Sequence, residues 1–181
     1  YIIVRNRTIY YETGHLMGTS PSHEELVSKA AAAFNAFYER TSELYHDTAR
    51  SLGLSDSAFD ILYALHAEDG QRQAELCKAS MMPKQTLASS LRRLQEQGLV
   101  RIESESRKMS RAFLTPAGRA RAEATIGLVI QAEVDAVDAL PSEVLALLPE
   151  TLERYLDALS EGFLEIQTHQ GRQDAPSQAI E

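Results

Sequence analysis

The clearest pattern in the chain is a seam of leucines. Leu87, Leu91 and Leu94 recur at i, i+4 and i+7, between Pro83 and Gly98. The spacing predicts a helix from Pro83 to Gln97. Pro83 suits the first helical position, where a missing N–H is harmless. Gly98 suits the left-handed residue just past the helix end. The face opposite the leucines carries Lys84, Gln85, Ser89, Arg92 and Arg93, with no carboxylate before Glu96. A short helix buried by leucines and presenting amides, hydroxyls and guanidiniums has the chemistry to lie on nucleic acid.

Upstream, Ser22 followed by Glu25 is a capping-box pattern that opens a long helix reaching about Ser51. Leu26, Ala30, Ala33, Phe37 and Leu44 hold its apolar spacing, with Phe34, Tyr38 and Tyr45 widening the stripe. A helix this long, more than twice the usual length, needs apolar partners beyond a small core. Ser55 to His66 is a second helix, with Ala58, Ile61, Leu62 and Leu65 facing inward. Glu68-Asp69-Gly70 is a turn, and Gln73 to Ala79 a short third helix carrying Leu76. The link Ser80-Met81-Met82 is short enough to require a tight helix-turn-helix.

After Gly98 the period changes from helical to alternating. Leu99 to Glu103 reads as a strand and Arg111 to Leu114 as its return, a β-hairpin with Arg107 and Lys108 near the tip. Thr115-Pro116 then caps and opens a helix to about Leu140. The last helical region begins at Pro141, and Pro149 is expected to kink or split it. Leu152, Leu156, Leu159, Phe163 and Ile166 step by fours and threes, a coiled-coil rhythm. His169 to Glu181 is polar and expected to fray. Residues 1–21 read as an extension of unclear origin, with Met17 a candidate natural start; no apolar leader core is visible there.

The net charge of −8 argues against nucleic acid until its distribution is seen. Between Gly70 and Arg121 eleven basic residues stand against four acidic ones, a net +7. The remainder sets seven against twenty-two, a net −15. One positive strip on an acidic body is the footprint expected of a phosphate-binding module. The hydrophobic fraction of 44% supports a real core, and no apolar run approaches the roughly 18 residues of a membrane span. The lone Cys77 excludes an internal disulfide framework and fits a reducing, cytoplasmic compartment; a buried thiol is the expected role. The histidines lack metal-ligand spacing, and no nucleophile elbow, phosphate-binding glycine loop or zinc-protease motif is present. Neither a metal, a cofactor nor catalysis is expected.

Helix, helix, helix, hairpin is the winged helix-turn-helix plan, in a mainly α fold with a small β-hairpin wing. Over Ser22 to Ile166 the chain resembles the MarR family of bacterial transcription regulators. The residues that carry the resemblance are Lys84-Gln85-Thr86, the run Leu94-Gln95-Glu96-Gln97-Gly98-Leu99-Val100, and Leu114-Thr115-Pro116-Ala117-Gly118. The resemblance implies a homodimer through the first and last helices, a palindromic double-stranded DNA operator, and often a small aromatic effector. Family wings usually carry an Asp and, two residues on, an Arg. The matching positions here are Ser106 and Lys108, so the carboxylate is absent.

The chain accordingly divides into the extension 1–21, an N-terminal dimerisation helix 22–53, a DNA-binding domain 54–115, C-terminal dimerisation helices 116–167 and a tail 168–181. Gln85 and Thr86 occupy the first turn of the recognition helix, where Gln can pair with adenine and Thr can meet a base methyl. Lys84 and Ser89 suit phosphates, Arg92 lies one turn further, and Arg107, Lys108 and Arg111 suit the wing contact. Each could instead be an ordinary solvated polar residue. Phe34, Phe37, Tyr38, Tyr45 and His66 are candidates for lining an effector pocket, or equally for core and dimer interface. The expected function is a homodimeric DNA-binding repressor relieved by a small ligand. The alternative is a non-enzymatic winged-helix dimer that binds protein or acts architecturally on DNA.

Overall fold

The computed structural model describes residues 21–106 and 109–173. Two compact units divide the chain after Gly53. The first contains one helix, α1 (His23–Ser51). Ser22 accepts the Glu25 N–H at 3.2 Å while its own N–H donates to Glu25 Oε2 at 2.8 Å, closing the anticipated capping box. Leu26, Val27, Phe37, Tyr38, Leu44 and Tyr45 are all exposed along it.

The second unit begins with α2 (Asp56–Ala67), followed by β1 (Gln71–Arg72), α3 (Gln73–Ala79) and α4 (Lys84–Glu96). Then come β2 (Val100–Ser106), β3 (Met109–Leu114), α5 (Pro116–Asp138) and α6 (Ser142–Gln173). The core gathers Ile61, Leu62 and Leu65 of α2, Leu76 of α3, Leu87, Leu91 and Leu94 of α4, and Ile126 of α5, none more than 2% exposed. Each leucine so buried contributes about 1.5–3 kcal/mol of apolar burial, so the three α4 leucines alone fix which face of that helix is left to solvent. No helix among the described residues is long and apolar enough to cross a membrane.

Several expectations are corrected. Pro83 is the N-cap of α4, with ψ 146°, and Lys84 is its first residue. The extended ψ lets the Pro83 carbonyl accept the Leu87 N–H at 3.0 Å without the ring entering the helix. Pro149 does not split the last helix: α6 runs unbroken from Ser142 to Gln173. A proline removes one backbone donor, and the turns on either side keep their own bonds. The same helix carries 169–173 along, so that part of the expected frayed tail is helical; residues 174–181 and 1–20 lie outside the described residues. Cys77 is partly exposed rather than buried, on the flank of α3 beside Leu76.

The sheet has three strands in the order β1-β3-β2, all antiparallel. The hairpin is longer than the alternation indicated: pairing runs from Val100↔Leu114 to Ser106↔Met109, with an irregularity between Ser104 and Ser106. β1 was not anticipated. Two residues, Gln71↔Ala112 and Arg72↔Arg111, are too few to show a period.

Candidate nucleic-acid interface

The outer face of α4 is built by its inner one. With Leu87, Leu91 and Leu94 at 1%, 2% and 1% exposure, the helical period leaves Lys84, Gln85, Ala88, Ser89 and Arg92 in solvent. Ser90, also buried, donates its hydroxyl to Ser57 Oγ of α2 at 2.8 Å and so ties α4 to its supporting helix. The first turn contains no acidic residue. Its unpaired N–H groups and the positive end of the helix dipole therefore face an approaching anion without competition.

The far end is fixed as the sequence indicated. Gly98 has φ 70°, and the Leu99 N–H reaches back to the Leu94 carbonyl at 2.9 Å while the Gly98 N–H bonds Gln95 at 2.9 Å. This is a Schellman stop, and it directs the chain straight into β2. The wing is anchored at its base by Asp69. Asp69 Oδ1 accepts the Gly70 N–H at 3.1 Å and the Leu114 N–H at 2.9 Å, and Oδ2 takes an Arg119 N–H at 2.6 Å. Sequence reasoning treated Asp69-Gly70 only as a turn; the carboxylate next to a tight glycine turn was the available signal.

Lys84, Gln85 and Thr86 are exposed together in the first turn of α4. Ser89 is exposed and donates its hydroxyl to the Thr86 carbonyl at 2.9 Å, leaving Oγ as an acceptor. Arg92 is paired through Nε with Glu96 Oε1 at 3.0 Å, an exposed i,i+4 pair of the kind worth well under about 1 kcal/mol. Such a pair is readily exchanged for a phosphate. Arg93 is exposed as well, and with Ala88, Ser89, Arg92 and Glu96 it lines a shallow depression. Arg111 is half-buried and donates Nη1 to the Gly70 carbonyl at 2.8 Å, so it holds the β1–β3 junction. Arg101 lies over the Phe113 ring, 4.4 Å from its centroid, and pairs with Glu103. Arg107 and Lys108 lie outside the described residues.

The candidate effector residues fall in both units. Phe34, Phe37, Tyr38 and Tyr45 belong to α1; Phe37 and Tyr38 are 68% and 70% exposed. His66 belongs to α2 and pairs with Glu123 Oε2 of α5 at 3.0 Å. A shallow apolar recess elsewhere is lined by Glu133, Val134, Val137, Asp138 and Leu145, none of them a nominated residue.

Two titratable groups on α2 are displaced from their ordinary behaviour. Burial, reinforced by the charge of Asp56, pushes the Asp60 carboxyl up to about 6. Tyr63 donates its hydroxyl to Glu133 Oε2 of α5 at 2.7 Å. That bond, with burial and the Glu133 charge adding to it, pushes the phenol up to about 12. Tyr63 thereby ties α2 to α5.

A trihelical core, an exposed carboxylate-poor first turn on α4 and a three-stranded wing define a winged helix-turn-helix fold. Residues 52–108 match the model of the MarR family. A MarR family transcriptional regulator from Silicibacter pomeroyi is 28% identical, with TM-score 0.60, over 70% of this chain and 87% of that one. The Staphylococcus aureus MepR–DNA complex shares the fold at 20% identity and TM-score 0.59, over 71% of this chain and 96% of that one. Bordetella bronchiseptica BpsR, whose DNA binding is regulated by 6-hydroxynicotinic acid, shares it at 19% identity and TM-score 0.57, over 70% and 98%. No curated protein matches the chain. The family model thus covers the helix-turn-helix and the first strand of the wing, and over about 70% of its length the chain is similar to MarR family transcriptional regulators.

Proposed function

We propose that the protein is a cytoplasmic homodimeric repressor that binds a palindromic operator and is released by a small, aromatic ligand. The observation that carries the reading is the exposed Lys84-Gln85-Thr86 turn, held outward by the buried leucines of α4. Gln85 and Thr86 read base edges, Lys84, Ser89 and Arg92 meet phosphates or the groove rim, and Arg107 and Lys108 supply the wing contact, with Arg111 adding to it through the guanidinium nitrogens that its bond to Gly70 leaves over. Phosphate contacts then set affinity and its salt dependence, while the first turn sets sequence.

Dimerisation is supported by unsatisfied apolar surface. Of the large apolar side chains exposed among the described residues, all but Met81 lie on α1, on α6 or between the start of α5 and α6. Rows such as Leu152, Leu156, Phe163 and Ile166 of α6 are too extensive for a solvated monomer surface. A two-fold dimer places its recognition helices about one turn of DNA apart, which is why the operator is palindromic. Repression follows from occupying DNA that polymerase needs. Relief follows if the ligand favours a dimer geometry whose two α4 helices no longer match successive major grooves. The likeness to BpsR supports such a ligand; Phe34, Phe37, Tyr38 and Tyr45 of the first unit and His66 of the second are each, separately, candidates to touch it.

Selection of duplex sites from a random pool by the purified protein tests this directly. Enrichment of an inverted repeat with half-sites about one helical turn apart supports it. A folded, dimeric protein that enriches nothing supports an interaction module instead.

A further inference from the structure

Met81 stands apart from every other exposed apolar side chain described. It is 91% exposed, more than any other large hydrophobic, and it is the one such residue in the helix-turn-helix itself. It lies in the turn between α3 and α4, three positions ahead of Lys84. Its φ is 50°, in the left-handed region that unbranched, bulky L-residues rarely adopt. The turn is held from behind: the Ser80 N–H and hydroxyl both donate to the Leu76 carbonyl, at 2.9 and 2.6 Å, and the Met81 N–H reaches Lys78 at 3.4 Å. Pro83, with φ −58°, stiffens the other side. A long apolar thioether is thus held out into water at the end of the helix that meets DNA.

We propose that Met81 is a specificity-determining residue of the DNA interface, packing on a thymine 5-methyl group at the edge of each half-site. The inference rests on the α4 face being the reading face. Lys84 and Gln85 answer donors and acceptors on base edges and phosphates, and the single methyl of Thr86 can meet one thymine methyl, the apolar group the major groove displays. A thymine nearer the edge of the half-site, on the Met81 side of the helix start, is left without an apolar partner from that turn. An apolar side chain there supplies one, and methionine, unbranched and polarizable, adapts to an irregular surface. The absence of any acidic residue from the first turn of α4 leaves DNA free to come close enough for that contact.

The test uses the full chain and a duplex enriched by it, with each thymine replaced in turn by uracil, which lacks only the methyl. Wild-type protein is expected to lose about fourfold in affinity, the worth of one buried methyl-sized group, at one symmetry-related pair of thymines. Met81→Ala is expected to lose a similar factor on the unmodified duplex and to be indifferent to uracil at those thymines. Met81→Gly relieves the left-handed backbone, so its thermal midpoint rises while its affinity falls with that of Met81→Ala. A residue with a merely structural role would lose stability and affinity together. The proposal is overturned if Met81→Ala binds as wild type, or if its uracil profile matches that of wild type. Failure of the wild type to bind any duplex overturns the DNA-reading face along with it.

Discussion

Gly118 lies directly against Leu99: a Cβ built on Gly118 would stand 1.8 Å from the Leu99 carbonyl oxygen. The same carbonyl accepts the Thr115 N–H at 3.0 Å, and Thr115 Oγ1 donates to the Gly98 carbonyl at 2.6 Å while capping the Gly118 N–H at 2.9 Å. The stop of α4, the start of the wing and the start of α5 are therefore one joint. Gly118→Ala should open it, lowering stability by about 2–3 kcal/mol through overpacking. Denaturant midpoints of the two proteins check this, and equal midpoints would show that the joint yields without strain.

Asp69, in the turn after α2, fastens the base of the wing as well. Asp69→Ala leaves the part-buried Leu114 N–H without its acceptor and frees Arg119. An orphaned donor of this kind costs about 1–3 kcal/mol. The expected result is a loss of that size in chemical denaturation. Amide exchange at Leu114 should quicken more than exchange in α1.

Stability should also depend on pH through Asp60. Its folded carboxyl is raised from 3.8 to about 6, so the fold favours the protonated form. That contribution is fully present below about pH 4, declines as pH rises through 6, and is gone above it. Because the group is only partly buried, the change is discounted to about 1 kcal/mol. Asp60→Asn should raise the thermal midpoint at pH 7 and flatten the slope between pH 4 and 6. Parallel pH profiles for the two proteins would contradict the assignment.

The α6 row tests dimerisation. Leu156 and Phe163 are 57% and 50% exposed, and charging both should abolish a self-association built on that row. Leu156→Asp with Phe163→Asp is expected to sediment as a monomer and to lose operator binding, while wild type sediments as a dimer. A monomeric wild type would overturn dimerisation, and a variant that still dimerises would place the interface elsewhere.

What the sequence made legible follows from periods and punctuation. The α4 seam, the Gly98 stop, the Ser22 capping box and the Thr115 cap each rest on a local rule, and each is present in the structure. What it hid depends on tertiary neighbours. β1 exists because Gln71 and Arg72 meet β3, not because of their own pattern. Arg111 was legible as a wing cation, but its bond to the Gly70 carbonyl, a partner forty-one residues away, was not. Pro149 carries a local signal strong enough to suggest a break, and the helix around it overrides that signal. Exposure of Met81 could not be read from the sequence, since methionine is usually buried and nothing in a three-residue link sets it outward.

The central claim is that the first turn of α4 reads bases. Equilibrium binding of Gln85→Ala and wild type to the selected operator, to operators altered at each position, and to unrelated duplex tests it most directly. The account predicts that Gln85→Ala loses about 1–3 kcal/mol on the operator, loses discrimination at one base pair per half-site, and binds unrelated duplex as wild type does. Equal losses on operator and unrelated duplex, or no loss on either, would contradict it.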